Sequence, residues 1–367
     1  MWAMIVKEFR ELRRDRRTLA MLIALPILFL VVFGFAANFS ISSLSTAVVG
    51  PGARAVAGQI AANARAGHTI DVVAVDPGGD ATAARRYLVR GETSVAVYTG
   101  GSRPVVYIDG SDLFAAQSAS VLVAGLGGRV DHQVLFNPDL KTSWVMVPAL
   151  VGLILTFIGM LITSIGLVKE RQNGTLEQLA VMPFRASDVI GGKIAPYFLL
   201  ASIDMVGVTL LGMWIFDVPF RGSPLLFGLG AALFLFVVLG LGVLVSTVSQ
   251  TVGQAIQTAM FLLLPQILLS GFVFPLAATP PGVRWIGYLL PLTYFARIAR
   301  GIMLRGAGLA ALWPSFLVLL VMAVAIFGAA VVRFRRSITP VRSRPGPTSP
   351  APAEAAGGGA AASEVGT

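Results

Sequence analysis

The chain has 367 residues, of which 56% are hydrophobic and only 13% are charged, and its mean hydropathy is +0.80. A soluble domain carries roughly 25% charged residues, so the composition excludes an ordinary soluble enzyme and indicates a membrane protein. The chain has no cysteine, and its two histidines, His68 and His132, are far apart in the sequence. We therefore expect neither disulfides nor a metal site.

The first 39 residues predict a cytoplasmic interfacial helix followed by a transmembrane helix. Residues 1–17 place apolar side chains at helical spacing opposite basic ones, as in a helix that lies on a membrane surface. Residues 18–39 contain a charge-free apolar run that is longer than a signal-peptide core of about 7 to 15 residues and lacks a clean cleavage site. This run is therefore predicted to be retained as the first span.

Residues 40–143 are predicted to form an extracellular α/β domain. Short β-rich segments alternate with helical patterns, for example TIDVVAVD followed by ATAARRYLVRG. A segment of this length is a normal size for one domain. The sequence thus predicts a folded unit inserted between the first two spans.

Residues 144–336 are predicted to form the remaining transmembrane region. The polar segment 246–254 divides its longest apolar stretch, and residues 337–367 are too poor in large apolar residues to fold, which predicts a disordered cytoplasmic tail. The fold class is an α-helical membrane protein with six transmembrane helices and an inserted extracellular α/β domain. The five later spans are predicted at 144–168, 194–216, 224–245, 255–276 and 309–332.

The distribution of basic residues predicts that both termini are cytoplasmic. With that orientation, fifteen basic residues lie in short cytoplasmic segments and five in short outer segments, as the positive-inside rule requires. Four arginines between the fifth and sixth spans run against the rule: Arg284, Arg297, Arg300 and Arg305.

The cytoplasmic loop 169–193 carries signals for a short helix. Asn173 and Gly174 indicate a turn, Thr175 with Gln178 fits a capping box, and Pro183 would end the helix. Such a helix is suited to docking into another protein, although an ordinary capped loop would show the same signals. The residues that it would present include Glu170, Arg171, Leu176, Glu177 and Leu179.

Asp204 is the one ionisable residue near the middle of a predicted span. An aspartate there costs roughly 3 kcal/mol on insertion scales, which the apolar residues of the span offset. It either faces a cavity or a partner, or is a protonated structural aspartate that is hydrogen-bonded to a neighbouring helix, with Ser202 and Thr209 of its own span as candidate contacts. A second acidic pattern, Asp109-Gly110-Ser111-Asp112, lacks the spacing of a calcium loop and predicts a turn.

Four blocks of sequence resemble one known family. In order and spacing, KEFRELRRDRRTLAMLIALPILFLVVFG, KERQNGTLEQLAVMPFRASDVIGGKIAPY, QTAMFLLLPQILLSGFVFPLAATP and PLTYFARIARGIMLRG are similar to the type-two ABC-transporter permeases. The resemblance implies a non-enzymatic membrane subunit that pairs with a second permease subunit, as a homodimer or heterodimer, and with cytosolic ATPase subunits. It also implies a multi-pass protein of the plasma membrane, the bacterial inner membrane.

The same resemblance assigns roles to particular residues. It places a coupling helix on Gly174, Thr175, Leu176, Glu177, Gln178 and Leu179, and a re-entrant or interfacial segment at 270–305. Arg297, Arg300 and Arg305 would then be interfacial residues whose charged ends reach the bilayer surface.

No phosphate-binding loop is present in the sequence. The nearest fragment, Gly191-Gly192-Lys193-Ile194, lacks both the spacing and the hydroxyl residue of the motif. ATP and Mg would therefore be bound by the partner ATPase, and we expect no cofactor in this chain and no nucleic-acid partner. The expected function is export of an amphipathic drug, antibiotic, lipid or glycan through the lipid bilayer. The alternative is a membrane-anchored receptor or scaffold whose outer domain binds an extracellular ligand without transport.

Overall fold

The structure is a computed structural model that describes residues 43–64, 69–126, 128–174, 186–276, 279 and 281–338. The predicted interfacial helix and first span, at 1–39, lie outside the described residues, as does the tail beyond residue 338. The described chain forms an α/β unit followed by a bundle of helices.

The α/β unit is a five-stranded sheet with helices on both faces. Its elements are β1 (Ser43–Val49), α1 (Ala53–Ala64), β2 (Thr69–Asp76), α2 (Ala81–Arg90), β3 (Val95–Tyr98), β4 (Val105–Asp109), α3 (Leu113–Ala124) and β5 (Asp131–Leu135). The strand order is β2-β1-β3-β4-β5. Only the β3–β4 pair is antiparallel. The position of this unit outside the membrane stays a prediction.

The inner strands are apolar on both faces because both faces are covered. Leu44 and Val48 of β1 pack into a cluster with α1 and α3. The alternate residues Ala47 and Val49 pack on the other face, against Leu88 of α2. This two-sided burial accounts for the apolar runs of the inner strands, which do not alternate with polar residues.

One buried asparagine fixes the path from the sheet into the bundle. Asn137 is fully buried, and its Nδ2 donates to the carbonyl oxygens of Gly110 at 3.3 Å and Lys141 at 3.1 Å. Its Oδ1 accepts from the Lys141 N–H at 2.9 Å. The side chain thus joins the end of β4 to the start of the first bundle helix.

The bundle contains five helices that are long and apolar enough to cross a membrane, within the residues that the structure describes. These are α4, α5, α6, α7 and α10, and they correspond to the second to sixth predicted spans. The bundle helices are α4 (Thr142–Gln172), α5 (Ala186–Phe216), α6 (Pro224–Val248), α7 (Val252–Leu269), α8 (Pro281–Tyr288), α9 (Pro291–Met303) and α10 (Leu309–Ile338).

The centre of the bundle is the packing of α4, α6 and α9. Helices α4 and α6 are more than half buried along their apolar windows, whereas α5 and α10 are mostly exposed. Phe234 of α6 stacks on Phe295 of α9, with ring centroids 4.5 Å apart. The α9 helix is too short to cross about 30 Å of hydrocarbon. It packs between the longer helices α4 and α6.

The observed helix ends differ from several predicted span ends. Helix α6 continues through Ser246 and Thr247, whose hydroxyls donate to the carbonyls of Val243 and Leu244 in the preceding turn. The break between α6 and α7 is therefore the three residues 249–251. Helix α7 ends at Leu269, seven residues before the predicted end at 276. Helices α4 and α5 also extend into the predicted loop 169–193, and α10 reaches Ile338.

The close approach of α4 and α6 requires a glycine. A Cβ at Gly242 would lie 2.8 Å from the Cβ of Thr163 and 3.0 Å from the carbonyl oxygen of Met160. We expect Gly242→Val to lower the free energy of unfolding by about 1 to 3 kcal/mol, because overpacking forces the helices apart. Gly228 of the same helix has open space around it, so Gly228→Val is the control and should leave the melting temperature almost unchanged. Equal melting temperatures for the two variants would contradict this account of the contact.

Candidate functional site

One end of the bundle holds the residues that the sequence predicts as the coupling region. Helix α4 carries Glu170 and Arg171 in its last turn, and Gly174 follows with a φ of +71°. A side chain is strained at that φ, so the position favours glycine. The other predicted coupling residues lie outside the described residues: Thr175, Leu176, Glu177, Gln178 and Leu179.

The turn between α6 and α7 lies beside this end of α4. The Thr251 hydroxyl caps α7 by accepting from the Gln254 N–H at 3.3 Å. The Gln254 side chain in turn accepts from the Gln250 N–H at 2.9 Å. This reciprocal pattern resembles a capping box and holds the turn in one conformation.

Two side chains of α4 fasten the helix to that turn. Arg171 Nη1 donates to the Ser249 carbonyl at 3.0 Å, and Gln172 Nε2 donates to the Gln250 carbonyl at 3.4 Å. We call these four residues the polar junction. The loop after α4 and the turn after α6 therefore lie at the same end of the bundle, which agrees with placing both on one side of the membrane.

Asp204 lies on α5 with one carboxylate oxygen, Oδ2, buried and without a hydrogen-bond partner among the described residues. The two residues that the structural hypothesis relied on do not supply a bond. The Ser202 hydroxyl donates to the Phe198 carbonyl at 2.7 Å, and the buried Thr209 hydroxyl also lacks a partner in the described chain. These two residues therefore supply no hydrogen bond to Asp204, and the functional and structural hypotheses for Asp204 both stay predictions.

Asp204→Asn is expected to reduce transport without reducing the amount of folded protein. An amide keeps the shape and removes the titratable group, and the span already inserts with the charge. Thr209→Val is the matched control, because it removes another unpartnered buried oxygen of the same helix. Wild-type transport in Asp204→Asn would contradict the functional role of the carboxylate.

The opposite end of the bundle is organised by Arg300 of α9. Its Nε donates to the Val145 carbonyl at 2.9 Å, and its two terminal nitrogens donate to the carbonyls of Gly271 and Phe272 at 3.1 and 3.2 Å. Arg300 thus joins the amino-terminal end of α4 to the chain that follows α7. Val145 and Arg171 are 26 residues apart on one helix, so this contact lies about 39 Å from the polar junction.

Arg305, just after α9, joins the bundle to the α/β unit. Its Nη1 lies 3.6 Å from Asp109 Oδ2; the Asp109 side chain is buried, and that of Arg305 is 13% exposed. The other oxygen of Asp109 accepts from the Ser111 hydroxyl at 2.6 Å and its N–H at 2.8 Å. Burial raises the pKa of Asp109, although Arg305 and Ser111 lower it. On acidification, Asp109 therefore takes up a proton at a higher pH than an ordinary aspartate does.

Sequence patterns did not predict the contacts of Arg300 and Arg305. They indicated only a turn at Asp109, although an aspartate at the end of the apolar strand β4 is a signal for a buried partner. Arg297 differs, because its side chain is exposed and lies over the rings of Tyr288 and Tyr294. An interfacial position for the three arginines stays a prediction.

No group of three or more metal-binding side chains occurs within the described residues. The two ends of the bundle instead hold contacts between helices. The polar junction lies at one end, and the contacts of Arg300 and Arg305 lie at the other, beside the α/β unit.

Comparisons with known proteins point to one family. The sequence profile of the family described as "ABC-2 family transporter protein" matches residues 16–332. The chain is 28% identical over 364 residues to the probable multidrug ABC transporter permease YbhR of Escherichia coli. This alignment covers 92% of the chain and 99% of YbhR. It is also similar to the inner membrane transport permease YhhJ of Escherichia coli, at 33% identity over 57% of this chain and 56% of the relative. A third relative, ABC transporter G family member 20 of Dictyostelium discoideum, is 31% identical over 57% of this chain and 29% of its own length.

Proposed function

Because the chain belongs to the ABC-2 transporter family, as a permease-type membrane subunit, we propose that it is the membrane subunit of an ATP-driven exporter. It pairs with a second permease subunit, and cytosolic ATPase subunits bind ATP and Mg. The cargo is an amphipathic drug, antibiotic, lipid or glycan, which is in keeping with the multidrug name of the relative YbhR.

The polar junction is the observation that carries this proposal. Arg171 and Gln172 fasten the end of α4 to the turn between α6 and α7, and only eleven residues separate Gly174 from the start of α5. A push on that short segment would move the ends of four transmembrane helices together: α4, α5, α6 and α7. A receptor that only holds an outer domain in place has no need for such a fastened junction.

The orientation is part of the proposal: both termini and the loop after α4 are cytoplasmic, and the α/β unit is outside. Because the chain has no cysteine, single cysteines at positions 60, 180 and 345 are clean reporters. Only the cysteine at position 60 should react with an impermeant thiol reagent in intact cells. Labelling at position 180 would overturn this orientation.

The exporter proposal is tested by purifying the tagged chain from its native membrane. We expect an ATPase subunit with a phosphate-binding loop to co-purify in about equal amount, and the complex to hydrolyse ATP. Removing the phosphate-loop lysine of that ATPase should abolish hydrolysis and leave the complex intact. Purification of the chain without any ATPase, from membranes that contain both, would favour the receptor hypothesis.

A further inference from the structure

A cavity of about 520 Å³ lies between the α/β unit and the bundle. This volume is within the range of small-molecule sites, about 300 to 1,000 Å³. One wall comes from the ends of α2, β4 and α3, and the other from the start of α4, the chain after α7, and parts of α9 and α10. The cavity is separate from the polar junction and from Asp204, so it serves neither the coupling nor the intramembrane proposal.

The charged residues that line the cavity give it a positive character. Four arginines line it beside two aspartates: Arg90, Arg297, Arg300 and Arg305 against Asp109 and Asp112. Arg90 pairs with Glu92, so the excess of positive charge comes from Arg297 and Arg300. Both aspartates are engaged, because Asp109 pairs with Arg305 and Asp112 accepts from the Ala115 N–H at the start of α3 at 3.2 Å. The wall therefore attracts an anion more than a cation.

Arg300 is the arginine best placed to bind that anion. Its three nitrogens each donate to a neutral carbonyl, and no carboxylate lies within 4.0 Å of it among the described residues. A guanidinium has five N–H donors, so two remain for a ligand after these three bonds. The charge of Arg300 is held in place by the fold but is not neutralised by an ion pair.

Two further donors at the cavity wall lack acceptors within the described chain. The hydroxyl of Thr93, which is only 3% exposed, has no partner, and neither has the buried Nε of Arg305. A buried donor without an acceptor destabilises the fold. A ligand with several acceptor oxygens, such as a phosphate or carboxylate, would satisfy them.

The bundle wall of the cavity also carries apolar side chains. Val145, Met146, Phe272, Leu276 and Leu312 line it beside the arginines. A purely polar anion would leave this surface in contact with water, whereas a ligand with an apolar chain would cover it. The cavity thus has positive charge at its arginines and an apolar surface beside them.

We propose that this interdomain cavity binds an anionic amphiphile, with its phosphate or carboxylate at Arg300 and Thr93 and its apolar chain against Phe272, Leu276 and Leu312. The inference deepens the proposed function by naming the charge and shape of a molecule handled at the outer end of the bundle. Binding to the chain alone does not require ATP or the ATPase, so it is measured separately from export.

The test uses the full chain in phosphatidylcholine nanodiscs and a dodecyl phosphate probe that carries a diazirine in its alkyl chain. After illumination, we expect the probe on peptides that contain residues 272–276 or 311–315. A dodecyltrimethylammonium probe with the same diazirine should label these peptides about tenfold less, which corresponds to about 1.4 kcal/mol. Equal labelling by the two probes, or no labelling by the phosphate, would overturn the proposal.

Variants test whether the label comes from the cavity. Arg300→Gln should reduce phosphate labelling about tenfold, but Arg300 also supports the fold, so a second variant is needed. Ala311 lines the cavity, and Ala311→Trp would fill it. The neighbouring Ala310 is exposed, which makes Ala310→Trp the matched control. If Ala311→Trp labels as strongly as Ala310→Trp, the cavity is not the binding site.

Competition identifies the source of the ligand. Adding phosphatidylglycerol to the nanodiscs should remove the label if the natural ligand is a membrane lipid. Persistence of the label would assign the site to a single-chain amphiphile, and either result supports an anionic amphiphile site. Failure of both probes would leave the exporter proposal standing, because that proposal is tested by co-purification of the ATPase.

Discussion

Export is expected to fall about tenfold or more in Glu177→Lys and in Gly174→Pro, a loss of at least about 1.4 kcal/mol in coupling. The amount of the chain in the membrane should stay close to that of the wild type. If residues 175–182 form a short helix that seats in a groove of the ATPase, reversing the charge of Glu177 weakens that contact directly. Export and cargo-stimulated ATP hydrolysis should therefore fall together.

Gly174→Pro acts on the same coupling through the backbone. The structure gives Gly174 a φ of +71°, whereas proline fixes φ near −65°. The turn that directs the chain away from α4 would therefore have to change. The polar junction itself does not involve Gly174, so the end of α4 should stay fastened to the turn after α6.

Glu92→Lys is the matched charge reversal for Glu177→Lys. Glu92 lies in the α/β unit, where its exposed carboxylate is 3.6 Å from Arg90, and exposed pairs contribute little to stability. This variant should export normally. Normal export by Glu177→Lys and Gly174→Pro, or a loss of export that matches a loss of protein from the membrane, would contradict the coupling hypothesis.

Arg300→Lys is expected to lower the free energy of unfolding by about 2 to 4 kcal/mol, even though the charge is kept. Hydrogen bonds from a charged group contribute roughly 1.5 to 3 kcal/mol each, and Arg300 makes three to carbonyls on two separate segments. A lysine ammonium lacks the planar fork that reaches all three oxygens. The melting temperature of the detergent-purified chain measures the loss.

Arg297→Lys is the control for Arg300→Lys. Arg297 lies one turn earlier on α9, and its exposed side chain contacts only the rings of Tyr288 and Tyr294 among the contacts that the structure describes. A lysine keeps the cation over the rings, so the melting temperature should change little. Equal losses in the two variants would show that the three carbonyl contacts of Arg300 do not hold this end of the bundle together.

Much of the fold could be predicted because apolar runs and their interruptions are strong local signals. The later spans were placed close to α4, α5, α6, α7 and α10. The predicted turn at 246–254 was too long, because serine and threonine can donate to carbonyls of their own helix and so continue it. Ser246 and Thr247 do this in α6, and polarity alone cannot show it.

The contacts of the candidate sites could not be predicted, because they depend on residues that are distant in sequence. Asp109 and Arg305 are almost two hundred residues apart, and Arg300 binds carbonyls of Val145 and Gly271, which leave no signature in the sequence. The sequence did mark the arginines between the last two spans as unusual, because four positive charges there run against the positive-inside rule. The structure shows contacts for two of them, Arg300 and Arg305.

The central claim, that this chain is the membrane path of an ATP-driven exporter, is tested most directly by transport into inside-out membrane vesicles. Vesicles that contain the chain and its ATPase should accumulate an amphipathic fluorescent dye in their lumen when ATP is added. Accumulation should stop when the phosphate-loop lysine of the ATPase is replaced. Dye uptake that is the same with and without ATP, or with and without this chain, would contradict the account.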